Sequence, residues 1–345
     1  MTFSIYGVKF IFKNAPKKIV EYFTNEWNLF KDIKENGNII IKINFSHTFN
    51  IDNDTKLFSS TLAYSNGSLY LFKNQQIHLK LLELKDNIIH ISCKNSITGI
   101  ELFWLLERIL FLKLISLGYT LQHASCFKIN NTVFAFSSLK ETGKSKILMY
   151  FLQSKDQIEF ISDDVLILDE NFVALPYPRG ISVHKYHGNI FYKLLGQSNI
   201  KVKVRYLIHL LKEKIFNRIE KFIIRLYLHN FIKKISTIQN PIDKFYILEK
   251  HYQSNIIKQN MDLLEVENFL TRNIQMEFFG IFYEDFFLMN FINNREVEIF
   301  QQYLEYLHEL LKENQHRFSQ SIDVEKIVVD NDFDISNLKK VILNG

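Results

Sequence analysis

Between Thr132 and Gln153 an apolar run, Thr132–Phe136, enters a polar loop and leaves it as a helix carrying Ile147, Leu148, Phe151 and Leu152. A strand feeding a helix through so short a loop predicts a layered α/β sheet. The loop reads Ser138-Leu139-Lys140-Glu141-Thr142-Gly143-Lys144-Ser145. It fits the pattern G-x-x-x-x-G-K-[ST] at seven of eight positions, with Ser138 in place of the first glycine. Each fixed position has a physical task. Backbone N–H groups turned into the loop cradle phosphate oxygens, and the helix N-terminus adds the positive end of its dipole. The lysine reaches the outer phosphates and the hydroxyl coordinates magnesium. Residues 138–145 are thus the expected nucleotide contacts, with Lys144 catalytic and Ser145 a metal ligand. The competing reading is an exposed loop entering a helix. Ser138 counts toward it, because glycine permits a close approach that serine resists, and so does the bulk of Lys140 and Glu141.

About twenty residues on, the apolar run Ile158–Ile161 ends in Ser162-Asp163-Asp164. A carboxylate at a strand end after such a loop is where a magnesium ligand is expected. Two adjacent carboxylates allow one to support the metal while the other accepts the proton of an attacking hydroxyl. Their mutual repulsion raises a pKa toward neutrality, which suits a base. Alone, Asp-Asp reads more readily as a solvated turn, and it is the loop upstream that favours the functional reading.

Around this block the chain divides into three. Residues 1–95 read as mostly strand: Phe3–Phe12, Asn38–Ser46 and Ile88–Ser92, with a hairpin at Ser65-Asn66-Gly67 and a short helix near Lys17–Trp27. Asn-Gly supplies the positive φ that a tight turn requires. Residues 96–200 hold the block above, opening with a helix over 97–117 whose Ile100, Phe103, Leu106, Leu110 and Leu114 fall at three- and four-residue spacing. Residues 201–345 are expected to be largely helical. Within them, 201–234 carries ten Lys or Arg against two Glu, a larger surplus than the +5 of the whole chain. Such a segment reads either as helices with a solvated lysine face or as a docking surface for a peptide or protein substrate. Nucleic acid is not the expected partner.

The two cysteines, Cys93 and Cys126, form no C-x-x-C pair, and both are expected to be buried in a reducing compartment. Met1-Thr-Phe-Ser-Ile-Tyr lacks the basic and apolar regions of a secretion signal. The most apolar stretch, 100–117, is broken by Glu101, Glu107, Arg108 and Lys113, which argues against a membrane span. A cytoplasmic protein is expected, its oligomeric state open.

Taken in order, His123-Ala124-Ser125-Cys126, Asn130-Asn131, Phe134–Ser138, Gly143-Lys144-Ser145 and Ile161-Ser162-Asp163-Asp164 resemble the ATP-binding core of HPr kinase/phosphorylase and its relatives, whose fold the phosphoenolpyruvate carboxykinases share. Leu175–Ile181, with Pro176 and Pro178, is similar to the L-P-F-P segment of divergent members, some of which phosphorylate a precursor peptide in lasso peptide pathways. The resemblance covers about residues 97–185, and the opening Phe3–Gly7 looks similar to the same divergent members. It implies an α/β core of P-loop type with a mixed sheet, and ATP with Mg2+ as cofactors. It implies phosphate and metal held by Lys144 and Ser145, with His123 near the reacting phosphate. Asp163 and Asp164 divide base and metal roles in an order left open, and Arg179 is a candidate for phosphate or substrate contact. The implied function is phosphorylation of a Ser or Thr hydroxyl on a peptide or small protein. The alternatives are a nucleotide- or peptide-binding module without turnover and a small-metabolite kinase.

Overall fold

The computed structural model describes the chain except residues 34–36, 49–50, 52–53, 58–61, 66, 72–74, 140–141, 154–157, 185–191, 193–194, 197–199, 217–222, 227–234, 252–255, 275–294, 331–332 and 345. The first layer is built from β1 (Thr2–Ile5), β2 (Val8–Lys13), β3 (Ile39–Ser46), β4 (Lys56–Leu57), β5 (Leu62–Ser65), β6 (Ser68–Leu71), β7 (Ile77–Lys80) and β8 (Ile88–Lys94). They form one eight-stranded sheet in the order β1-β2-β3-β8-β7-β6-β5-β4. The run expected as one strand over Phe3–Phe12 is a hairpin instead. Tyr6 and Gly7 both take positive φ, 47° and 86°, and set Ile5 opposite Val8. The apolar residues continue through this turn, so periodicity alone hides it. Asn66, at the tip of the expected β5–β6 hairpin, lies outside the described residues, but the two strands pair as anticipated.

Helix α1 (Lys17–Glu26) connects the parallel strands β2 and β3. Against it lies α2 (Gly99–Ser116), opened by a capping box in which Thr98 and Glu101 satisfy each other's backbone N–H groups. At Gly99 the two helices come so close that a Cβ would sit 2.5 Å from the ring of Tyr22. Helix α2 is buried on nearly every side.

Six strands build the second layer: β10 (Ala124–Ile129), β11 (Thr132–Ser138), β12 (Ile158–Ser162), β18 (Lys244–Lys250), β19 (Ile257–Asn260) and β20 (Val324–Val329), in the order β12-β10-β11-β18-β20-β19. A smaller antiparallel sheet, β17-β14-β13-β9, joins β9 (Thr120–Gln122), β13 (Leu166–Leu168), β14 (Val173–Leu175) and β17 (Asn240–Pro241). A fourth, two-stranded sheet pairs β15 (Ile181–His184) with β16 (Ile223–Leu226). Five more helices are described: α3 (Lys144–Gln153), α4 (Ile200–Phe216), α5 (Leu263–Ile274), α6 (Arg295–Ser321) and α7 (Ile335–Asn344). The chain is thus a mixed α/β protein. Residues 201–345, expected to be helical, also supply β16 to β20; β18 lies beside β11, and β20 lies beside β18. The expected helices over 201–234 reduce to α4 and the strand β16, with 217–222 and 227–234 outside the described residues.

Alternation along β11 sends Phe134 and Phe136 to one face of the six-stranded sheet and Val133 and Ala135 to the other. The first face packs on α3 and α7, through Ile147, Leu148, Phe151, Leu338 and Ile342. The second packs on α5 and α6, through Leu270 and Phe318. Helix α6 is long enough to reach both layers: Phe300, Leu304, Leu307 and Leu311 enter the core of the eight-stranded layer, while Phe318 enters that of the six-stranded one. No described helix is long and apolar enough to cross a membrane. Phe300 is fully buried on α6, against the layer built from the opposite end of the chain. Phe300→Ala is expected to cost about 3–5 kcal/mol, read as a lower urea midpoint with little change in slope.

Candidate functional site

Two segments of the chain leave one sheet for another at the same level. The first runs through β9 in the four-stranded sheet, passes His123, and continues as β10 in the six-stranded sheet. The second leaves the six-stranded sheet after β12, passes Asp163, Asp164 and Val165, and continues as β13 beside β9. Gln122 faces Leu166 on one side of the break and Cys126 faces Ser162 on the other. Neither ladder pairs the residues between, so His123, Ser125, Asp163 and Asp164 gather in one gap. The third contributor is the loop after β11, whose last residue, Ser138, pairs with Leu248 of β18.

Gly143 ends that loop with φ of +121°, and a Cβ there would touch the ring of Phe333 at 3.4 Å. Only glycine adopts this backbone without strain. Ser138 is different. It is extended within a strand and absent from the positive-φ residues, so the first position of the pattern does not demand glycine here. Lys144 opens α3, is 6% exposed, and donates from Nζ to the Ser138 carbonyl oxygen and to Ser138 Oγ, both at 3.1 Å. Thr142 Oγ1 donates to the Leu139 carbonyl at 2.8 Å, which tightens the turn. Leu139 is itself half exposed. Lys140 and Glu141 lie outside the described residues.

Asp163 is 2% exposed and receives two hydroxyls. Ser125 Oγ donates to its Oδ1, and Ser145 Oγ lies 3.3 Å from Oδ2 and 3.5 Å from Oδ1. Burial, reinforced by the neighbouring Asp164 charge, pushes the carboxyl up to about 6 from an ordinary 3.8, against the opposing pull of Ser125, Arg179 and Lys144. Asp164 turns the other way. Its φ of 62° lies in the left-handed region, which aspartate tolerates better than most residues. Its Oδ2 accepts from Arg179 Nη2 at 3.0 Å.

The guanidinium of Arg179 is also committed to Glu107 of α2, donating from Nη1 to both carboxylate oxygens at 2.7 Å. Tyr177 OH donates to Glu107 at 3.2 Å, and Trp27 Nε1 donates to that hydroxyl at the same distance. Arg179 thus positions Asp164, a role the sequence does not suggest. The two carboxylates raise the pKa of the guanidinium against the effect of burial.

His123 is buried, and its Nδ1 lies 3.1 Å from Asn273 Oδ1 on α5. The Asn273 amide donates from Nδ2 to Ser137 Oγ and to the Ser138 carbonyl, both at 3.1 Å. A flipped amide would set its oxygen against that carbonyl, so the orientation is fixed chemically. Oδ1 is therefore an acceptor, and His123 donates from Nδ1. Ser137 Oγ returns a bond to the His123 carbonyl at 3.0 Å. Asn273 was not legible as a site residue. It lies 135 positions from Ser138, on an amphipathic helix where an asparagine reads as surface.

The structure therefore gathers Lys144 and Asn273 on Ser138, and Ser125 and Ser145 on Asp163, with His123 bonded to Asn273. It sets Asp164 and Arg179 to one side as a pair. Ser145 Oγ and the Asp163 carboxylate are hard oxygen donors of the kind Mg2+ takes. Among the described residues no three His, Cys, Asp or Glu side chains converge as a metal cage. Asp164, expected as a second ligand, spends Oδ2 on Arg179. Both cysteines are free and buried, and burial raises both thiol pKa values well above their usual range. No protein-family model matches the chain, and no curated protein matches it.

Two outcomes test this geometry. Arg179→Ala leaves Glu107 buried with its strongest partner gone and is expected to cost about 3–5 kcal/mol in denaturant unfolding. A carboxyl whose folded pKa is raised stabilises the fold below its unfolded pKa and loses that contribution as pH rises through the folded value. For Asp163 the window is from 3.8 to about 6. Asp163→Asn is neutral at every pH, so its melting temperature relative to the parent is expected to be higher at pH 8 than at pH 4. A difference independent of pH would refute the raised carboxyl.

Proposed function

We propose that the protein transfers the terminal phosphoryl group of ATP to a Ser or Thr hydroxyl on a peptide or small protein. One observation carries the reading: Lys144 and Ser145, at the N-terminus of α3, converge with the buried Asp163 at the end of β12. A helix N-terminus is an anion site, and Lys144 adds the cation that offsets developing phosphate charge. The likeness of residues 97–185 to HPr kinase/phosphorylase points the same way.

The chain's own groups divide the work. Lys144 leaves Ser138 for the outer phosphates, exchanging a carbonyl and a hydroxyl for charged oxygens, which make stronger hydrogen bonds. Ser145 Oγ would hold the cation side of the triphosphate, with Asp163 beside it kept for the acceptor proton. Mg2+, when bound, would neutralise charge on the β- and γ-phosphates. The acceptor oxygen bonds to the γ-phosphorus as the bond to the β-phosphate oxygen breaks, ADP leaves, and the hydroxyl proton passes to Asp163. A carboxylate with a pKa near 6 is a competent base at neutral pH. Asp164, held by Arg179, keeps a negative charge beside Asp163 that sustains its basicity. Asn273 fixes the Ser138 carbonyl and the His123 ring.

A second reading, nucleotide or peptide binding without turnover, is favoured by one observation. The Lys144 ammonium is turned back onto Ser138 Oγ, a contact that the glycine of the usual pattern cannot make.

Calorimetric titration with ATP and Mg2+ is expected to give saturable binding, weakened about ten-fold or more by Lys144→Ala, a loss of roughly 1.4 kcal/mol. Incubation with Ser- and Thr-containing peptides is expected to add about 80 Da per phosphoryl group, the mass of HPO3. Asp163→Asn should slow that transfer about a hundred-fold or more while nucleotide still binds. Binding without transfer to any peptide would favour the second reading. No binding at millimolar ATP would remove both.

A further inference from the structure

Helix α4 carries apolar residues on two opposite faces. Tyr206 and Leu210 pack into the core that holds Ile147, Leu148 and Phe151 of α3. On the far side Ile200, Val204, Leu207, Ile208 and Leu211 are 45% to 72% exposed. At 3.6 residues per turn these five positions fall within about 100° of arc and extend about 16 Å along the axis. Single exposed aliphatics are ordinary, but a contiguous stripe of five is the mark of a contact surface. Its spacing, i, i+4, i+7, i+8 and i+11, is that of a helix face built to receive another helix.

Charge says what the partner must carry. Lys203 and Arg205 flank the stripe on opposite sides, and α4 as a whole holds Lys201, Lys203, Arg205, Lys212 and Lys214 against the single Glu213. A second copy of this helix would bring cationic flank against cationic flank, so self-association is opposed. The stripe is wholly aliphatic and lacks the Trp or Phe that anchors helices lying in a lipid interface.

We infer that the outer face of α4 docks an amphipathic helical segment of a partner protein, with an apolar stripe bordered by Asp and Glu. Because the inner face of α4 shares a core with α3, the docked segment lies on the side of the molecule that carries Lys144 and Ser145. That the segment belongs to the phosphoryl acceptor rests on the proposed function; the docking itself does not.

The test uses the full chain and a fluorescein-labelled synthetic 18-residue helix with leucines at i, i+3, i+4 and i+7 and glutamates on both flanks. A twin peptide with lysine flanks is the control. Fluorescence anisotropy is expected to show salt-sensitive binding of the glutamate peptide, about ten-fold or more tighter than the lysine twin. The double variant Leu207→Glu with Leu211→Glu, whose side chains already face water, should keep its melting temperature and lose binding at least ten-fold. Arg205→Glu should weaken binding and flatten its salt dependence. Lys144→Ala should leave it unchanged, which separates this result from any failure of nucleotide binding. Equal binding of both peptides, binding of neither, or a stripe variant that binds like the parent would overturn the inference. So would co-sedimentation with phosphatidylglycerol vesicles in place of peptide binding, or dimerisation lost in the stripe variant.

Discussion

Glu107, Arg179 and Asp164 form a charged chain that spans the two layers of the molecule. Glu107 belongs to the helix covering the eight-stranded sheet, Asp164 to the break between the six- and four-stranded sheets, and Arg179 to the segment after β14. Its inner members sit where water is scarce, the Arg179 and Glu107 side chains being 14% and 8% exposed, while Asp164 is 39% exposed. A buried pair rarely adds net stability over an apolar equivalent, but losing one member leaves an uncompensated charge. What this chain supplies is position. Tyr177 and Trp27 extend it into the aromatic core of the first layer, and Gly180 N donates to Glu26 of α1 at 2.9 Å. The segment bearing Arg179 is therefore anchored at three points, and Asp164 inherits that order.

Local order was legible in the sequence, and remote pairing was not. Residues 132–153 could be read as strand, loop and helix because apolar period and loop chemistry change within a few residues of each other. The same holds for α2, whose apolar spacing marks it as a helix. β18 and β20 are each a short apolar run with no local strand signal, and only remote pairing, of β18 with β11 and of β20 with β18, makes them strands. The hairpin at Tyr6-Gly7 was hidden by apolar residues on both sides of the turn. At the site, the loop lysine, the serine and the two aspartates carry a spacing signal. Asn273 carries none, because its role exists only once α5 has packed beside β11. Arg179 was legible as a charge, and its commitment to two carboxylates was not.

The serine at position 138 shows why a motif position should be judged by its backbone. Glycine is needed where φ is positive or where a Cβ would collide, and Gly143 meets both conditions. Ser138 meets neither: it ends a strand in ordinary extended geometry, paired to Leu248. Its side chain instead adds a hydroxyl within reach of the Lys144 ammonium. On the proposed reading the substitution leaves the loop's shape intact and changes the resting place of its lysine. Nucleotide then competes with two protein oxygens for that ammonium.

Adjacent aspartates usually share one environment, yet here the backbone separates them. The left-handed turn at Asp164 sends its side chain away from Asp163, toward the Arg179 guanidinium that pairs with it. Asp163 points into the gap, where burial and its neighbour's fixed charge both favour the proton. A single local conformation thus gives two carboxylates opposite electrostatic tasks. The one beside Ser125 and Ser145 can exchange a proton near neutral pH, and the one beside Arg179 maintains the field that makes this so. Any chemistry that needs a base at this position draws on the pair, because removing the outer charge weakens the basicity of the inner one.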